Sequence, residues 1–277
     1  MEFLKLVRRR SFLSEAVYMI LNIGLAIALL VVIRYTGSIP LAIALVAVSK
    51  WRVLAVRPRY WFANVRSNLI DFIVSVSVVL QMYTINASSI EDERKLILLV
   101  ILTVLYIGWL LFLKPRSKRS YVAAQAGVAV LFGTSALFTL SFNWPVSAVV
   151  IGMWLLGFAA ARHLLNTYDD ETHGLFISLA WGVFFAELAW LSYHVTVGHP
   201  IPFVSSIQLP QVAITATVLS FLAYKAYDSF YHNQMIKIND IILPLLFTVG
   251  LMVSLWFVLP SIQCERPTVL VCIEGAL

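Results

Sequence analysis

IPLAIALVAVSKWRVLAV, residues Ile39–Val56, is apolar for eleven positions and then meets Lys50 and Arg52. Whether this stretch crosses a membrane decides the topology of the chain, because the other long apolar runs are unambiguous. A helix rising 1.5 Å per residue needs about 20 residues to cross a hydrocarbon core ~30 Å thick. Eight further runs approach or reach that length: Ala16–Arg34, Ser67–Tyr83, Leu96–Leu113, Tyr121–Ser141, Pro145–Leu165, Gly174–Val195, Gln211–Phe230 and Ile241–Leu259. Soluble domains carry about 25% charged residues. Of these 277 residues only 12% are charged and 61% are hydrophobic, with the charges gathered into short islands between the runs. The fold class is therefore an all-α, polytopic transmembrane helix bundle.

Cations settle the disputed stretch, since cytoplasmic loops are enriched in Lys and Arg. With Ile39–Val56 as the second crossing, the basic amino terminus (Lys5, Arg8, Arg9, Arg10) shares one face with Lys50, Arg52, Arg57, Arg59 and Arg66. Lys114, Arg116, Lys118, Arg119, Arg162, Lys225 and Lys237 join them, and of the 20 cations only Arg34, Arg94, Lys95 and Arg266 fall outside. Eight crossings would divide the clusters between the two faces. The prediction is nine crossings, with a cytoplasmic amino terminus, an external carboxyl terminus, and Lys50 and Arg52 snorkelling to the interface from a short or tilted second helix. The chain reads as one integral domain over 1–277: a basic start (1–15), a bundle (16–259) and an external tail (260–277). The expected location is the cytoplasmic (plasma) membrane.

RRRSFL (Arg8–Leu13) has the look of a twin-arginine export core, but a long apolar run follows it with no A-x-A site. An uncleaved anchor is expected. The net charge of +6 points to anionic lipid headgroups at the cytoplasmic face rather than to nucleic acid. A membrane-protein partner or a second copy of the chain is a further expectation. Cys264 and Cys272, in the tail context CERPTVLVC, suggest a disulfide in an oxidising compartment. The outer loop VGHPIPFVSSIQLP (Val197–Pro210) has too many prolines for a helix and should lie at the interface or fold over the bundle.

Three constellations could carry function. The run FFAELAWLSYH (Phe184–His194) places Glu187 near the midplane of the seventh crossing, where a charge costs roughly 2.5–3.5 kcal/mol. His194 lies two turns outward on the same face, and Lys225 is the nearest base on the following helix. Glu187 should face other helices, and together the three residues are the candidate protonatable path of a small-solute carrier. The second constellation is HLLNTYDDETH, where His163, Asp169, Asp170, Glu171 and His173 could hold magnesium for chemistry on a lipid-linked substrate at the cytoplasmic face. Apart from that alternative, no cofactor is expected. The third is a set of small residues (Ala123, Ala124, Gly127, Gly152, Gly157, Ala159, Ala160) expected to let the fifth and sixth helices pack closely. Asp71, one turn into the third helix and close in sequence to Arg66, should sit in an interface pair or a helix-dipole interaction, and Lys225 can pair with Asp228 three residues on. No nucleotide-, zinc- or hydrolase-type motif is present.

The leading expectation is a non-enzymatic protein, either a small-solute carrier or the membrane subunit of a larger complex. A lipid-linked-substrate enzyme is the alternative. A cavity at Glu187 would favour transport, whereas a cleft beside Asp169–His173 would favour a lipid.

Overall fold

Backbone N–H and C=O groups inside a bilayer must be paired within the chain, and helices do this locally. The computed structural model describes residues 12–51, 55, 57–61, 64–65, 68–169, 171–201, 204–257, 262–264 and 272–273. Among them are nine helices of eleven residues or more: α1 (Phe12–Thr36), α2 (Ile39–Ser49), α3 (Leu69–Ala87), α4 (Asp92–Gly108), α5 (Arg119–Leu140), α6 (Val146–Leu165), α7 (Gly174–His194), α8 (Gln211–Asn233) and α9 (Ile238–Phe257). Seven of the helical segments are long and apolar enough to cross a membrane. The exceptions are α2, which is short, and α8, whose second half carries Lys225, Asp228 and three tyrosines. The architecture is an all-α bundle.

Contacts at the helix ends define two ends of this bundle. Arg34, late in α1, forms an ion pair of 2.6 Å with Asp92 at the start of α4, and it also donates to Asn86 at the end of α3. At the opposite end Lys50, the C-cap of α2, meets Asp71 in the first turn of α3. Lys114, just beyond α4, reaches the same carboxylate. Further along, Arg119 at the start of α5 meets Asp228 in the last turns of α8. Successive helices thus alternate in direction, and most of the described cations gather at what we term the basic end.

The turn into α2 follows from local chemistry. Gly37 adopts φ +59°, a left-handed conformation that ends α1. Ser38 then caps α2 by accepting from the Leu41 N–H, with Pro40 in the first turn, where its missing N–H costs nothing. With eleven residues, α2 is about 16 Å long, yet it returns the chain from the Arg34 end to the level of Asp71. Lys50 does not snorkel outward as expected. Its side chain is 10% exposed and turned into the bundle. Arg52 lies outside the described residues.

At the far end parts of the non-helical outer loop and of the tail form a small sheet. β1 (Thr196–Ile201) and β2 (Val204–Pro210) form an antiparallel hairpin, and β3 (Ile262–Cys264) and β4 (Cys272–Ile273) extend it in the order β2-β1-β3-β4. Pro200 sits in β1 where the register shifts, a position that tolerates its missing N–H. Since β3 follows α9 and pairs with β1, the ends of α7 and α9 and the start of α8 lie together at this sheet end. With 23 residues, α8 must therefore run the full height of the bundle between the sheet and the basic end.

The core contains Leu29 and Ile33 of α1, Val74, Val78 and Met82 of α3, Leu99 and Tyr106 of α4, Val130 of α5, Met153 and Leu156 of α6, and Phe185 of α7. The small residues divide between two roles. Gly152 does lie against Leu137 of α5, but Gly157 instead admits the Phe185 ring of α7, and Gly182 of α7 lies against Trp154 of α6. Close approach is thus strongest between α6 and α7. Ala123, Ala124, Gly127 and Ala160 line a void.

Candidate functional site

That void lies toward the basic end, between α5, α6 and α7 on one side and α8 and α9 on the other. Its volume is about 810 Å³, within the ~300–1,000 Å³ typical of ligand pockets. Ser120, Ala123, Ala124, Gly127 and Val130 contribute the α5 wall, and Ala160, Ala161 and Leu164 the α6 wall. Ile177 and Trp181 of α7 and Phe247 of α9 add bulk, while α8 supplies Thr217, Phe221, Tyr224, Lys225 and Tyr227. The cause is volume. Alanines and glycine on α5 and α6 leave space that larger side chains would fill, and a Cβ added at Gly127 would meet nothing within 4 Å. A second apolar cavity, about 320 Å³, lies toward the sheet end and is lined by Leu188, Thr215 and Met252 among others.

Polar groups surround the basic end of the large cavity. Arg119 donates to Asp228 at 3.4 Å, and its guanidinium lies 4.1 Å from the Tyr168 ring centroid. The Tyr168 hydroxyl donates to the same carboxylate oxygen at 3.1 Å. Burial and the Asp228 carboxylate both push the Tyr168 phenol up from its ordinary range, which keeps its proton in this bond. The Tyr227 hydroxyl donates to Glu171, and the other Glu171 oxygen accepts from the His173 backbone N–H at 2.7 Å. Asp228 thus pairs with Arg119 rather than with Lys225 as its helical spacing suggested. Lys225 is half-buried on the cavity wall, its ammonium 5.5 Å from the Tyr224 ring centroid. No carboxylate pairs with it among the described residues.

A second network sits across the basic end. Asp71 is 7% exposed and holds Lys50 and Lys114, the latter at 2.8 Å. The Trp109 indole N–H donates to its other oxygen at 3.3 Å. Trp109 to Leu113 form a π-helical turn, closed by the Lys114 N–H donating to the Trp109 carbonyl. Residues five apart in an α-helix point about 140° apart, and the wider π turn brings Trp109 and Lys114 toward the same side. Ser75 and Tyr106 extend the network, with the Tyr106 hydroxyl donating to Ser75 at 2.9 Å. The sequence suggested an interface pair near Arg66, which lies outside the described residues, or a helix-dipole interaction, and pointed to neither lysine. Lys114 sits 43 positions away in sequence and at the far end of another helix, so no local spacing could reveal it.

The predicted site residues are dispersed. Glu187 and His194 are both exposed on the outer face of α7, contrary to the expectation that Glu187 faces other helices, and neither lines a cavity with Lys225. Of the candidate magnesium ligands, His163 bonds Gln125 at 2.9 Å and Glu171 is engaged with Tyr227. Asp169 and His173 are exposed, and Asp170 lies outside the described residues. Among the described residues no three His, Cys, Asp or Glu side chains converge on a metal position. For the cysteines only the backbone is described, and Cys264 stands directly opposite Cys272 across β3 and β4. Comparison of the chain with protein-family models, curated proteins and solved structures gave no match.

Proposed function

We propose that this is a multi-pass protein of the cytoplasmic membrane that binds a long-chain, anionic amphiphile in the large cavity, with the basic end in the cytoplasm. The observation that carries the reading is Lys225, an ammonium without a carboxylate partner among the described residues, on the wall of a mostly apolar cavity. A half-buried ammonium facing an apolar wall gains from an anionic partner, which a headgroup supplies while hydrocarbon fills the alanine- and glycine-lined space. In this reading α2 is a shortened crossing, giving nine, with the amino terminus cytoplasmic and the tail external. The role is non-enzymatic, in lipid binding or passage, alone or as a subunit of a larger complex. Neither Glu187 nor His194 lines either of the two cavities described above.

Filling the cavity tests the proposal. Gly127→Phe places a ring in the void with no Cβ clash, so the bundle should fold while co-purified lipid falls in mass spectra of the extracted protein. Undiminished lipid in a folded Gly127→Phe variant contradicts the site.

A further inference from the structure

The smaller cavity, toward the sheet end, holds two polar groups that the fold leaves idle. Gln211 opens α8 and lines this cavity. It is 7% exposed, and its side-chain amide meets no hydrogen-bond partner among the described residues. Neither amide atom is fully enclosed by protein, so its open side is the void. Thr215 follows one turn later on the same face of α8 and lines the same cavity. Thr217 and Ser220 donate their hydroxyls to the carbonyls four residues back, at 2.7 Å each. Thr215 makes no such bond to the Gln211 carbonyl, and its hydroxyl has no other partner among the described residues. The rest of the wall is mostly apolar, with Phe138 of α5, Leu188 of α7 and Met252 of α9, and no charged side chain among the described residues lines it. Leu191 of α7 and Trp256 of α9 line the cavity and are also exposed on the bundle surface, which opens it sideways to a long molecule.

We infer that this cavity takes a long-chain alcohol, an uncharged molecule whose hydroxyl bonds with Gln211 and Thr215 while its chain leaves past Leu191 and Trp256. A buried amide without a partner is costly, and a hydroxyl can both accept from the Gln211 NH2 group and donate to its oxygen. An ionised head would be stranded there, since no opposite charge lines the wall. A hydrocarbon with no head would cover the apolar wall and leave both polar groups unpaired. At about 320 Å³ the cavity is at the small end of ligand pockets, which suits a head and the first part of a chain rather than a whole lipid. Lys225 takes no part in it, so the site stands independently of the anionic amphiphile in the large cavity.

Photolabelling of the purified full chain tests it, with three diazirine probes on the same hydrocarbon chain: a primary alcohol, the fatty acid and the plain alkane. The alcohol should label the peptides that carry Leu188 and Met252 more than the other two probes do, and unlabelled alcohol should compete. Gln211→Leu should weaken that labelling about three- to tenfold, the worth of one hydrogen bond, and Thr215→Val should weaken it in the same direction. Lys225→Met should leave it unchanged. Because the Gln211 amide has no protein partner to lose, Gln211→Leu should unfold at the same temperature as the wild-type protein or higher in the absence of probe. Equal labelling by alkane and alcohol overturns the inference, as does preference for the fatty acid or undiminished labelling of both variants. A lowered unfolding temperature for Gln211→Leu also overturns it, since the amide would then be serving the fold.

Discussion

Lys50 closes α2 with its ammonium donating to the carboxylate of Asp71, the third residue of α3, and Lys114 shares the same oxygen from the end of α4. Three consecutive helices are tied at one carboxylate with side-chain exposure of 9%. The tie turns Lys50 into the bundle from the C-cap of α2, so this cation needs no interface. One carboxylate between two ammonium groups also leaves a net positive charge at the basic end.

Asp71→Ala strands two cations, and removing one partner of a buried pair typically costs about 3–5 kcal/mol. Thermal unfolding of the purified protein should show Asp71→Ala as the most damaging change at this network, followed by Lys50→Met. Lys114→Met should cost about 1 kcal/mol or less, because its side chain is 30% exposed. Equal effects of all three would show that the tie does not hold the helices.

Gly157 provides a packing test. A Cβ there would lie 2.5 Å from the Phe185 ring, and such overpacking costs about 1–3 kcal/mol. Gly157→Ala should lower the unfolding midpoint, whereas Gly24→Ala, whose Cβ would meet nothing within 4 Å, should leave it unchanged or raise it. A neutral Gly157→Ala would mean that α6 and α7 are less closely packed than described.

The bundle was legible because apolar runs of spanning length can do little else, and the helix positions followed directly from them. The placement of side chains around each helix was not. Nothing in the order Ala123, Ala124, Gly127 distinguishes a tight interface from a void, since both call for small residues and only the size of the facing side chains decides. Glu187 was assigned inward because of the cost of charge at the midplane. That argument requires a polar cover without saying whether the same chain supplies it. The outer loop was seen to resist helix formation, but part of its strand pairing depends on a tail 68 positions away, from Thr196 to Cys264.

Topology is checked with fused reporters. One after Lys118 should report the cytoplasmic side and one after Glu265 the external side. Both on the same side would contradict nine crossings, and an external result near Arg57 would remove the second one.

The register of β3 and β4 places Cys264 directly opposite Cys272, and opposed residues of antiparallel strands stand about 4.5–5.5 Å apart at Cα, within reach of a disulfide. The non-reduced protein should be lighter by two hydrogens than the reduced chain and should resist thiol labelling. Two freely alkylated cysteines in the membrane-inserted protein would contradict the bond.

The central claim is that Lys225 pairs with the headgroup of an anionic amphiphile held between α5, α6, α7 and α8. The most direct measurement is native mass spectrometry of the protein titrated with an anionic lipid and a zwitterionic lipid of the same chains, for wild type and Lys225→Met. The account predicts that the wild-type protein retains the anionic lipid preferentially, and that Lys225→Met loses that preference about tenfold while staying folded, in line with about 1.5 kcal/mol for a charge-assisted contact. Equal retention of the two lipids by the wild type, or an unchanged preference in Lys225→Met, would contradict it.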